Sequence, residues 1–184
     1  KGVALSLRAY PNLNSHYYGD KIVRHKRINI GIAVALEDGL VNVTSYDADK
    51  TSLGTMAAKN RDMITRARGG KVKPDELEGS TFTVSNLGPY DVDHFIAIIN
   101  PPAAGILAVG SAKQTPIVTD DGKLAVGWRM KATISADHRV DGARPVVPYV
   151  LKAGSRQVAE RHLEIGRREF ESPLAHLLPD LGPE

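Results

Sequence analysis

The sequence predicts a mixed α+β domain built around a central sheet, and three observations carry that expectation. Alternating apolar and small or polar residues recur at 30–36, 40–46, 81–85 and 124–135, the period of half-buried strands. A single long stretch, 51–68, carries apolar residues at helical spacing. Turn pairs containing Asp, Asn, Gly or Pro separate these segments at strand-like intervals. A chain of 184 residues suits one domain, 1–184, that buries roughly two thirds of its unfolded surface.

Each element has a local reason. Residues 3–10 read as the end of a helix, stopped by Pro11-Asn12, and 14–20 is turn-rich. Residues 21–36 read as one long or bent strand. Its first half is basic, and in its second half Ile30, Ile32, Val34 and Leu36 alternate with small residues. Glu37-Asp38-Gly39 is a hairpin turn into the return strand 40–46. In the helix 51–68, Leu53, Met56, Ala57, Met63, Ile64 and Ala67 share one face. Thr51 or Ser52 can cap its start, Arg66 and Arg68 suit its negative end, and Gly69-Gly70 stops it. Residues 74–79 form a linker turn before the strand 81–85, and 103–109 is an apolar strand buried on both faces. Thr119-Asp120-Asp121-Gly122 turns a hairpin between 116–118 and 124–135. A helix is expected over 143–163, with Pro145 in its first turn and Pro148 and Gly154 against it. A short apolar tail occupies 172–178.

Composition excludes several classes of function. With no cysteine there is no disulfide framework, thiolate metal site or cysteine nucleophile, so thiol chemistry must use a thiol carried by the substrate. A net charge of +3 and 5% aromatic residues give no footprint for nucleic acid. No run approaches the ~18 apolar residues of a membrane span, and a soluble, reducing compartment is the default. The start at Lys1 reads as the middle of something, because Val3, Leu5 and Leu7 are already committed to a core. None of the six histidines has metal-ligand spacing, so no metal is expected. His16, His25 and His162 read as surface residues, and His94 beside Phe95 as a loop anchor.

His138 is different. The strand pattern Thr133-Ile134-Ser135-Ala136 runs into Asp137-His138-Arg139, and the chain then breaks at Asp141-Gly142. An imidazole fixed at a strand end can serve as a general base. Thr81-Phe82-Thr83-Val84-Ser85-Asn86-Leu87-Gly88 and Ile98-Ile99-Asn100-Pro101-Pro102 lie upstream in a fitting order. Together these elements resemble the catalytic core of the dihydrolipoamide acyltransferases of 2-oxo acid dehydrogenase complexes, with chloramphenicol acetyltransferase the more distant relative. The resemblance implies the chloramphenicol-acetyltransferase-like α/β sandwich and transfer of an acyl group, acetyl being the commonest expectation, between lipoamide and coenzyme A. It implies His138 as the base that deprotonates the thiol, Ser85 as the donor to the oxyanion, and Asp141 as the carboxylate that holds the active-site loop. It implies no metal, and lipoamide carried on a lipoyl domain outside this chain.

Assembly follows from the same likeness. The expected unit is a homotrimer with each site between neighbouring subunits, built into a cubic or dodecahedral cage in bacterial cytoplasm or mitochondrial matrix. Leu174, Leu177 and Leu178 would anchor contacts between trimers. Lipoyl domains, a 2-oxo acid decarboxylase and dihydrolipoamide dehydrogenase are the implied partners, with neither nucleic acid nor membrane.

The chain departs from the family pattern in three places. The family spacing His-x-x-x-Asp-Gly is one residue shorter here, which on a strand would turn everything beyond it to the other face. The stretch from Gly142 to Pro173 is longer than usual, and the resemblance pauses after Val140 and resumes over 170–178. The lipoyl and subunit-binding domains and the first part of the catalytic core have no counterpart. These departures leave open a second reading, a structural core protein that joins the cage without transferring acyl groups. Elsewhere, Lys21, Arg24, Lys26 and Arg27 read as an exposed strand, with coenzyme A phosphates as the alternative. Asp47 and Asp49 read as helix-capping acids, and Gly88 as a position needing positive φ.

Overall fold

The structure, a computed structural model, describes residues 1–119 and 121–141. A first helix, α1 (Gly2–Ala9), leads into a short ribbon of β1 (Ser15–Tyr17) and β2 (Ile22–Arg24). Strands β3 (Ile30–Leu36) and β4 (Gly39–Ser45) form a hairpin, after which helix α2 (Leu53–Arg68) begins. Next come β5 (Phe82–Asn86), β6 (Gly105–Val109), β7 (Lys113–Val118), β8 (Leu124–Arg129) and β9 (Ala132–Ala136). A single helical turn, α3 (His138–Asp141), ends the described chain.

The central sheet has the order β4-β3-β5-β6-β9. Its middle strands β3, β5 and β6 are parallel, and β4 and β9 run antiparallel at the two edges. Alternation along the strands sends Ile30, Phe82, Leu107 and Ile134 to one side, where they pack with Ala4 and Leu7 of α1, Leu13, Ile28 and Met56. Phe82 is fully buried, so the two parallel strands on either side of it are fixed in register by one large side chain. A smaller cluster joins Val34 and Val43 to Met63 and Ala67 of α2. The mixed sheet and its helices are the expected architecture, and the helix 51–68 is present with Ser52 as its cap, its Oγ accepting from the Thr55 N–H at 3.2 Å.

Several expectations are corrected. The strand 21–36 is two strands, interrupted at His25–Asn29, because the buried Asn14 amide donates to the carbonyls of His25 and Arg27. These carbonyls are thereby removed from any sheet ladder. The segment 124–135 also divides: β8 pairs with β7 in an outlying ribbon, whereas β9 joins the central sheet. On α2 the buried stripe is narrower than its apolar pattern, since Leu53 and Ala57 are exposed. Asp47 and Asp49 do not cap α2. Asp47 holds Arg27 at 2.6 Å, and the buried Asp49 holds Arg8 at 2.8 Å. Lys21, Arg24, Lys26 and Arg27 are exposed, as expected of a solvated basic segment. The helix expected over 143–163, the tail 172–178 and His162 lie outside the described residues.

Of the histidines near the first ribbon, His16 is buried and His25 half-buried, so neither is the exposed surface residue expected. His16 is only 9% exposed, its ring lies 4.1 Å from that of His25, and its Nε2 donates to the Ser80 carbonyl at 3.1 Å. Burial pushes both imidazoles below their ordinary pKa, so the fold disfavours their charged form. The unfolded chain then binds more protons than the folded one as pH falls through about 6.5. Stability is complete above that value and is lost on acidification below it. Thermal unfolding between pH 7 and pH 5 should show a falling Tm, and His16→Gln should flatten that slope; a slope unchanged by the substitution would refute the assignment.

Candidate active site

β9 ends at Ala136, and the next peptide is tied down at once: the Asp137 N–H donates to the Ala104 carbonyl at 2.8 Å. Asp137 then turns the chain. Its Oδ1 accepts from the Arg139 N–H at 3.0 Å, and its carboxylate takes the Arg139 guanidinium at 2.9 Å from Nε and 2.7 Å from Nη2. The buried Val140 pins the far side of this turn to the protein body. The backbone that carries His138 therefore sits between two residues bonded to each other. The paired guanidinium holds the Asp137 carboxyl below the usual carboxylate range and raises Arg139 in return. A depressed carboxylate contributes its stabilisation above its unfolded pKa of about 3.9 and loses it as pH falls through the folded value. The clasp is consequently intact at neutral pH.

His138 is exposed along one wall of a cleft of about 330 Å³. Tyr17, Ile99, Pro101, Pro102 and Ala103 supply apolar surface, and Asp137 and Arg139 the charged rim. The loop bearing Ile99 is fastened to β9 by the Ser135 hydroxyl, which donates to the Ala97 carbonyl at 2.8 Å. The β1 ribbon is fastened to the same region by the Tyr17 N–H, which donates to the Pro102 carbonyl at 2.8 Å. Three separate stretches of sequence thus converge on the imidazole.

Ser85 is elsewhere. It pairs with Ala108 across β5 and β6, and Ala108 pairs with Thr133 of β9. Phe82 of β5 points into the core, so Thr83 and Ser85 share the opposite face. His138 lies beyond the other end of β9, five positions past Thr133 and two strands away. At ~3.3 Å per residue and ~4.8 Å per strand, the two groups are on the order of 15–20 Å apart. Ser85 does not line the cleft, and one copy of the chain does not bring its hydroxyl to its own imidazole.

Asp141 is the last residue of α3, so the segment after His138 is helical. The expected exchange of strand faces does not apply: removing one residue from a helical turn rotates the downstream residues by about 100°, and positions three apart remain neighbours. Gly88 is also reassigned, since its φ is not positive. A Cβ there would come within 2.8 Å of the Gly110 carbonyl oxygen, so close approach of two backbones requires the glycine. Asn86 Oδ1 accepts from the Gly88 N–H at 2.9 Å, which makes this turn structural. His94 is exposed and lies 3.5 Å from Asp93. Sequence reasoning misses Tyr17 and the Asp137–Arg139 clasp. Their signal is nonetheless present: opposite charges two residues apart around a histidine, and an aromatic pair in a chain poor in aromatics. Among the described residues no group of three or more His, Asp or Glu could hold a metal ion, and no helix is long and apolar enough to cross a membrane.

Residues 1–146 match the family model of the 2-oxoacid dehydrogenases acyltransferase catalytic domain. The chain belongs to this family. Within it, the acyltransferase-family chain is 37% identical over 153 residues to the dihydrolipoyllysine-residue acetyltransferase component of the acetoin cleaving system of Bacillus subtilis, covering 83% of this chain and 38% of that one. It thus spans about two fifths of the length of that relative. Among solved structures it resembles the dihydrolipoamide acetyltransferase of Azotobacter vinelandii, with 28% identity and a TM-score of 0.75 over 84% of this chain and 64% of that one. That enzyme was investigated for the role of a serine, a histidine and an asparagine in its catalytic mechanism, the last two four positions apart. The cubic core of the pyruvate dehydrogenase multienzyme complex has 30% identity and a TM-score of 0.75, with the same two coverages. The family fold expected from the motifs is therefore the observed one.

Proposed function

We propose that this chain is an acyltransferase core that moves an acyl group, acetyl being the commonest expectation, between dihydrolipoamide and coenzyme A. The observation that carries the reading is His138, clamped at the end of β9 and facing an open, largely apolar cleft, in a chain of this family. His138 takes the proton from the thiol S–H, and the sulfur adds to the carbonyl carbon of the partner thioester. Ser85 of a second copy donates to the oxyanion. Collapse breaks the original C–S bond, and the leaving thiolate takes the proton back from His138. A free thiol of pKa about 8.5 is a few per cent thiolate at neutral pH, so complete deprotonation contributes only ~30-fold, about 2 kcal/mol. Positioning and oxyanion stabilisation supply the rest, the latter on the order of 10²–10³. Asp141, three residues after His138, is assigned to holding the active-site loop.

A second copy is required because Ser85 and His138 occupy opposite ends of one sheet, and the β7–β8 ribbon supports where it docks. The ribbon springs from the Ser85 end, since β6 leaves the sheet and β9 enters it there. Its pairs Pro116↔Val126 and Val118↔Leu124 continue to Trp128 on one face, and Leu124, Val126 and Trp128 are 82%, 71% and 68% exposed. An apolar face of this kind marks an interface, and this reading seats a copy of the same chain on it with that copy's His138 toward Ser85. Homotrimers that build a cage with lipoyl-bearing and dehydrogenase partners, in bacterial cytoplasm or mitochondrial matrix, complete this reading. Trp128→Lys is expected to raise the dissociation constant between copies about 30-fold or more, some 2 kcal/mol, by sedimentation; undisturbed assembly would remove the ribbon from the interface.

The shortened His138–Asp141 spacing favours a second reading, a structural core without transfer. An assay with free dihydrolipoamide and acetyl-coenzyme A separates the two: turnover by the assembled full-length protein selects the enzyme, and an assembled but inactive protein selects the scaffold.

A further inference from the structure

Tyr17 ends β1 far from His138 in sequence, and no motif assigns it a role. Its backbone is nonetheless bound on the active-site side, through its N–H to the Pro102 carbonyl, while Ser15 accepts from the Ala104 N–H at 2.9 Å. The carbonyl of the same Ala104 accepts from the Asp137 N–H. β1 and the start of the histidine turn are thus pegged to the two sides of one peptide segment. Above that shared base, the Arg139 guanidinium carbon lies 4.1 Å from the centre of the Tyr17 ring, well inside the range of a cation–π contact. Arg139 directs its Nε and Nη2 at Asp137 while its guanidinium carbon lies over the Tyr17 ring. Its side chain is 65% exposed, so these two partners are what constrain it.

We infer that Tyr17 is a positioning residue for His138: its ring holds the Arg139 guanidinium, Arg139 holds the Asp137 carboxylate, and the turn so closed aims the intervening imidazole into the cleft. The inference rests on His138 acting as the base. Exposed salt bridges between residues two apart are weak by themselves, because both side chains retain freedom. A rigid ring beneath the guanidinium removes that freedom. Tyr17 also lines the cleft, so a plain substrate contact is the competing role and must be separated from positioning.

Kinetics on the assembled full-length protein make the separation. Tyr17→Leu should lower kcat about 5-fold, the factor that a cation–π contact of about 1 kcal/mol supports, with KM for both substrates nearly unchanged. Tyr17→Phe keeps the ring and should keep kcat. Arg139→Gln should match Tyr17→Leu, and the double variant should lose little more than either. A loss confined to KM, an equal loss in Tyr17→Phe, or fully additive losses would each overturn the inference. If Tyr17→Leu does not fold, the exposed Arg139→Gln carries the same comparison against Arg139→Lys. Should the unmutated protein transfer no acyl group, the functional reading fails separately. Carbethoxylation of His138, with peptide mass spectrometry as the readout, still tests its positioning. The modification rate should change severalfold in Tyr17→Leu and not in Tyr17→Phe, and equal rates in both would overturn it.

Discussion

His138→Ala is expected to reduce acyl transfer by about 10²–10⁴-fold with the assembly intact, the range that a positioned general base contributes. The imidazole is exposed and makes no core contact, so its removal leaves no cavity. Its neighbours keep their own bonds: Asp137 and Arg139 remain paired, and Val140 remains buried. The loss should therefore appear in kcat, with Tm and sedimentation unchanged. A variant that retains wild-type turnover would end the assignment of His138 as base. An equal loss accompanied by unfolding would instead make the residue structural.

Ser85→Ala should cost about 10²–10³-fold in kcat, the contribution of one oxyanion donor, and its sharper test is a mixture. Neither Ser85→Ala nor His138→Ala copies hold a complete set of groups. Unfolded together and reassembled in equal amounts, they should regain activity. A site needs an intact His138 from one copy, with probability one half, and an intact Ser85 from its neighbour, again one half; their product is about one quarter of the wild-type value. The prediction comes from the register Ser85↔Ala108↔Thr133, which separates the hydroxyl from the imidazole of its own chain. A mixture with no more activity than its parents would mean that each chain completes its own site or that Ser85 takes no part.

Much of this architecture is legible in the sequence because it depends on local periodicity. The β3–β4 hairpin, α2 and its Ser52 cap, and the strand carrying Ser85 each announce themselves within a few residues. The misses share a different cause. Whether 21–36 is one strand or two depends on Asn14, whose amide competes for carbonyls eleven and thirteen residues away. The burial of His16 depends on Ser80 and His25, and the role of Asp47 on Arg27. Such partners are distant in sequence and leave no periodic trace. The same holds at the site. His138 stands out as a candidate from its own neighbourhood, whereas the Tyr17–Arg139 contact joins residues more than a hundred positions apart. The separation of Ser85 from His138 within one chain is a matter of register, and a site shared between copies is legible in the sequence only through the family resemblance.

Where the backbone passes Gly88 and Gly110 there is no room for a side chain, and a Cβ at Gly110 would overlap the Asp93 carbonyl oxygen. That crossing welds the turn after Ser85 to the root of the outlying ribbon. The 91–93 loop is held besides by Asp91, left-handed at φ 60° and paired with Lys113 at 2.8 Å, and by Asp93, paired with Lys131 at 2.6 Å, and an alanine at 110 would pry the two stretches of chain apart. One added methyl group at that crossing is therefore enough to separate the loop from the ribbon's root.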